Sequence, residues 1–113
     1  MSTNYFDRNL NSLDTIYETA VWENITSNYL ANSGEKLIVY TSAAPILITL
    51  PANPNVGDTI KFIDAVGSFE TNNLTVLRNG KKIAGENNDL IADVNDIKFS
   101  MTYIGELTGW HVN

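Results

Sequence analysis

The chain has 113 residues, 43% of them hydrophobic and 18% charged, with a net charge of −6 and no cysteine. That length suits a single domain. Scattered Lys and Arg in an acidic chain exclude a phosphate-gripping nucleic-acid surface, and the missing thiols exclude disulfides, thiolate nucleophiles and sulfur metal sites.

The charged share lies below the usual figure of about 25%, and uncharged polar residues, Asn above all, fill the gap. Asn tolerates left-handed backbone and caps its own turns, so a turn-rich fold is expected. No apolar run approaches the roughly 18 residues that span a bilayer, and no membrane partner is expected. The opening "MSTNYFDRNLNSLD" is polar and carries no signal-peptide apolar region. In that context the sequons Asn24-Ile25-Thr26 and Asn73-Leu74-Thr75 read as chance.

Residues 1–20 form a first unit, with a helix expected over 5–20. Phe6, Leu10, Leu13, Tyr17 and Ala20 recur at spacings of 4, 3, 4 and 3, an a/d heptad seam, and Ile16 widens the stripe. Ser2, Thr3 or Asn4 would cap its start. A lone helix this short is marginal in water, so something must cover the stripe. The candidates are the β domain of the same chain and the same helix from neighbouring chains. The heptad spacing favours the second. Phe6, Leu10, Leu13, Ile16, Tyr17 and Ala20 are therefore the expected oligomer interface.

From Val21 the period changes to two, and residues 21–113 form the second unit. Strands are expected near 22–26, 36–41, 45–50, 59–64, 74–78, 82–83, 96–104 and 109–112. Ile46, Ile48 and Leu50 share one face. So do Ile60 and Phe62, Leu74 and Val76, and the set Ile97, Phe99, Met101 and Tyr103. One buried and one wet face follow. Asn79-Gly80 between two strand-like runs is the strongest hairpin signal and favours a type I′ turn. Pro51 ends a strand rigidly, since proline cannot continue a central ladder. Short strands with frequent turns, no βαβ rhythm and no internal repeat point to a mainly β fold. The expected form is a short N-terminal helix followed by a small antiparallel β-sandwich or barrel.

No chemistry-bearing constellation emerges. His111 is the one histidine, and no serine-bearing elbow accompanies it, so no catalytic triad is expected. Asp89, Asp93 and Asp96, among Asn87, Asn88 and Asn95, lack the spacing of a calcium loop and read as a solvated loop. Asp58 and Asp64 stand about 20 Å apart if they flank one strand, too far for paired acid–base work. The single glycines form no phosphate cradle. No catalytic residue, metal ligand or cofactor site is expected. Tyr29 and Phe69, placed in loops, are the aromatics available for ligand contact, and they support an alternative reading as a carbohydrate-binding β-sandwich module.

The order of motifs carries a resemblance. It runs Trp22-Glu23-Asn24-Ile25-Thr26, Leu37-Ile38-Val39-Tyr40-Thr41-Ser42, Ile48-Thr49-Leu50-Pro51-Ala52 and Gly57-Asp58-Thr59-Ile60. It continues through Ile63-Asp64, Phe69-Glu70-Thr71-Asn72-Asn73-Leu74-Thr75-Val76, Ile83-Ala84-Gly85, Tyr103-Ile104 and Gly109-Trp110. The series resembles a small β module of virion structural proteins of tailed bacteriophages, including tail-fibre and baseplate-associated proteins of cyanobacterial phages and the N-terminal β region of baseplate wedge fibre proteins. The resemblance covers roughly residues 20–113. It implies a non-enzymatic building block, trimeric, located in the virion and contacting other virion proteins. Relatives are often longer proteins with this module as one part. In a chain of this length an adaptor, fibre-joint or decoration role is expected rather than host recognition.

Overall fold

A computed structural model describes residues 21–113. The helix and the oligomer stripe expected within residues 1–20, from Phe6 through Leu10, Leu13, Ile16 and Tyr17 to Ala20, lie outside the described residues. The described chain is mainly β and contains no helix. Its strands are β1 (Glu23–Ile25), β2 (Tyr29–Leu30), β3 (Lys36–Val39), β4 (Ile46–Thr49), β5 (Thr59–Asp64), β6 (Leu74–Leu77), β7 (Leu90–Ala92), β8 (Lys98–Tyr103) and β9 (Trp110–Val112).

They form two sheets. Sheet A has the order β1-β3-β5-β8-β9, and sheet B the order β2-β4-β6-β7. The first six strands alternate between the sheets, and their pairings are all parallel: β1 with β3, β3 with β5, β2 with β4, and β4 with β6. The last three strands join antiparallel. The expected antiparallel sandwich or barrel is thus corrected to two mixed sheets, with no closed barrel among the described residues. Parallel strands need a crossover, usually a helix. Here the crossover from one strand to its parallel neighbour is a strand of the opposite sheet, so the chain winds three times without a helix.

The alternation expected from sequence sets what faces inward. Leu37, Val39, Ile60, Phe62, Phe99, Met101 and Tyr103 from sheet A meet Ile46, Ile48, Leu74, Val76 and Ala92 from sheet B in one core. Register tightens this core. Phe62 and Phe99 are direct cross-strand partners, and their rings stack with centroids 4.8 Å apart. Tyr103 and Trp110 are also partners and meet edge to face at 5.5 Å.

The windings differ in length. Register partners Glu23, Leu37 and Phe62 lie fourteen and then twenty-five residues apart. That irregularity is why no repeat is visible in the sequence. Strands β2 and β7 escape notice because they are short and turn Leu30 and Ile91 outward. The expected strand at 82–83 is absent; Ile83 makes only isolated bridges, to Glu86 and to Trp110. The turn before it does form. Asn79 and Gly80 both have positive φ, 51° and 96°, and the Lys81 amide donates to the Arg78 carbonyl at 3.3 Å. It does not close the expected hairpin, because β6 takes β7 as its antiparallel partner.

Gly109 marks where two backbones cross. A Cβ there would stand 1.9 Å from the Lys82 carbonyl oxygen, whereas one on Gly80 would meet open space. Both glycines have positive φ. Gly80→Ala is expected to cost about 1–2 kcal/mol from backbone strain alone. Gly109→Ala adds overpacking and should cost about 3 kcal/mol or more. Denaturant unfolding of the two variants checks the difference, and equal losses would contradict the crossing.

Candidate interaction surfaces and the buried carboxylate

The most constrained polar group is structural. Strand β5 turns Ile60, Phe62 and Asp64 inward, so a carboxylate, only 5% exposed, ends an apolar row. It is satisfied by backbone. Asp64 Oδ1 accepts the amides of Val66 at 3.4 Å and Ser68 at 3.2 Å. Oδ2 accepts those of Phe69 at 3.2 Å and Asp96 at 3.0 Å. Burial pushes this carboxyl upward, but the bonds from Asp96, Phe69, Ser68 and Val66 together prevail and hold its pKa below the ordinary 3.8.

These bonds tie together two loops that carry the chain from one sheet to the other, residues 65–73 and 93–97, and a third such loop, residues 40–45, is joined to the first by separate contacts. Thr41 Oγ1 and Ser68 Oγ lie 2.7 Å apart, and Asn72 Nδ2 donates to the Thr41 carbonyl at 2.8 Å. On the other side the Glu70 amide donates to Asn95 Oδ1 at 2.8 Å, and Asn95 Nδ2 donates back to Glu70 Oε1 at 3.2 Å. Asp64 sits between these two sets of contacts.

The residues singled out from sequence do not converge. Phe69 lies in the 65–73 loop as expected, but its ring is fully buried in the core, so the expectation of an exposed ligand contact is corrected. Its apolar ring follows the amide that Asp64 captures and is carried inward with it. Tyr29 belongs to β2 rather than to a loop. Its hydroxyl donates to Glu35 Oε2 at 2.6 Å, and that bond to a carboxylate raises its pKa to about 12. Asp58 is a turn residue, accepting from Ser33 Oγ at 2.9 Å and from the Asn55 amide at 2.8 Å. It stands at the opposite end of β5 from Asp64. Asp89 accepts the Arg78 amide at 2.9 Å. His111 is exposed, with Nε2 3.0 Å from Asn113 Oδ1. Among the described residues no three His, Asp or Glu side chains gather as metal ligands, and no helix is long and apolar enough to cross a membrane.

The outer faces of the sheets are the distinctive surfaces, and sequence reading did not anticipate either. On sheet B the register places Leu30, Thr49 and Leu77 in one outward row, and Leu47, Thr75 and Ile91 in the next. No charge interrupts these rows, and Leu30 and Ile91 are 62% and 58% exposed. On sheet A, Lys36 lies directly opposite Lys61, and Ile38, Ile63 and Lys98 form the neighbouring row. Lys98 Nζ stands 6.0 Å from the centroid of the Trp22 ring. The signal for both faces is the second half of each alternating pattern, the positions read simply as wet. Comparison with protein-family models and with curated proteins finds no match.

The clamp gives a pH dependence with a definite sign. A carboxyl whose folded pKa is depressed contributes stability above its unfolded pKa, and that contribution is lost as pH falls through the folded value. Stability should therefore decline below about pH 4, where unfolded carboxylates begin to bind protons. Asp64→Ala strands four amides and should cost about 3–5 kcal/mol at neutral pH. It should also flatten the acid limb of stability plotted against pH. Urea unfolding of wild type and variant from pH 7 to pH 3 measures both effects.

Proposed function

We propose that the protein is a non-enzymatic structural component of a tailed-bacteriophage virion, a homotrimer that acts as an adaptor, fibre joint or decoration module through contact with other virion proteins. The observation that carries this reading is the ordered motif series from Trp22 to Trp110. Its characteristic residues are committed to shape. Asp64 gathers four amides. Asn72 links successive windings, and Gly109 permits a backbone crossing. Leu50 is fully buried where its strand ends. Function then falls to surface. A neutral apolar face and a basic face on an acidic chain suit contact with protein surfaces.

In this reading Phe6, Leu10, Leu13, Ile16, Tyr17 and Ala20 supply the contact between copies. Light scattering of the full chain should give three times the 12.5 kDa chain mass. Leu10→Asp combined with Leu13→Asp should reduce that mass while leaving the β-sheet circular dichroism unchanged. A monomeric wild type would overturn the trimer. Labelled protein that fails to decorate intact particles would overturn the virion role.

A further inference from the structure

We infer that the outer face of sheet A is the seat of the chain's own N-terminal segment, residues 1–20. Lysines on that face are placed where their charges oppose one another. Lys36 and Lys61 are direct cross-strand partners, and Lys98 lies one row away on the next strand. Like charges directly opposite on a sheet face are destabilising. Among the described residues none of the three meets a carboxylate at ion-pair distance; the pair that forms is Lys81 with Glu106, at 2.7 Å elsewhere on the surface. Three of the chain's seven cations thus crowd one face of a molecule with net charge −6. In the row beside Lys36 and Lys61, in line with Lys98, lie the half-buried side chains of Ile38 and Ile63. The face offers an apolar strip edged by ammonium groups.

Residues 1–20 have the matching chemistry. Each of their carboxylates directly follows a residue of the apolar stripe: Phe6-Asp7, Leu13-Asp14 and Tyr17-Glu18. Arg8 is the segment's single basic side chain. The segment also arrives at the right place. It ends at Ala20, and Trp22, two residues on, holds its ring beside Lys98 on this face. Seating the stripe on Ile38 and Ile63 would bring Asp7, Asp14 and Glu18 toward the lysines and relieve their mutual repulsion. The contacts are the same whether the segment returns to its own sheet or is exchanged into a neighbouring copy, and exchange would join copies in the manner proposed above.

Carbodiimide cross-linking of the full chain, which condenses a lysine amine with a carboxylate, followed by peptide mass mapping, tests the seat. The exposed Lys81–Glu106 pair serves as the internal positive control. Cross-links from Lys36, Lys61 or Lys98 to Asp7, Asp14 or Glu18 are expected, and Lys36→Gln with Lys61→Gln should remove most of their yield while sparing the control. A mixture of isotope-labelled and unlabelled copies assigns each link to one chain or two. Control cross-links without any from the segment would overturn the seat, even if light scattering reports a trimer. Retention of the chain on dextran sulfate that depends on these lysines, with no segment cross-link, would overturn it in favour of an external polyanion. A monomer whose segment cross-links within one chain would support the seat and overturn the trimer alone.

Discussion

A buried carboxylate with four backbone amides around it is the constraint on which the architecture depends. Parallel pairing requires the chain to leave a sheet, cross the core layer and come back one strand further along. Each passage strands backbone polar groups at the edge of an apolar interior, where leaving them unpaired costs about 1–3 kcal/mol apiece. Asp64 resolves this at the passage from β5 to β6. Its carboxylate captures the amides of Val66, Ser68 and Phe69 within the loop and that of Asp96 from the next one. The position is fixed by β5 itself, whose alternation ends inward on Asp64 after Ile60 and Phe62.

From that point the rest follows by packing. With the loops tied, the inward rows of both sheets meet in one core, the Phe62–Phe99 contact joins β8 to the parallel winding, and the Tyr103–Trp110 contact joins β9 to β8. The two outer faces are then left with unlike chemistry. One is Leu, Ile and Thr without charge, and the other carries Lys36, Lys61 and Lys98 around Ile38 and Ile63. These two faces are the most distinctive surfaces that the fold leaves to solvent.

Much of the inward half was legible in the sequence. Ile46, Ile48 and Leu50, Ile60 and Phe62, Leu74 and Val76, and Phe99, Met101 and Tyr103 are buried as their period-two spacing requires. Direction was not legible, because side-chain alternation is identical in parallel and antiparallel strands. Nor was the partner of β6. Asn79-Gly80 encodes its local turn correctly, yet Ile83 goes to Trp110, and β7 takes the place beside β6. Phe69 looked like an exposed loop aromatic because burial in a loop depends on a hydrogen bond to a residue five positions earlier. Asp64 left a readable trace, a carboxylate at an inward position of the alternating β5 pattern.

Native-state hydrogen exchange offers the most direct test of this dependence. The amides of Phe69 and Asp96 should open only with the core amides of β5 and β6, at a common free energy and with a common denaturant sensitivity. Free exchange of those two amides at neutral pH, with the strands still protected, would show that the carboxylate does not hold the loops together.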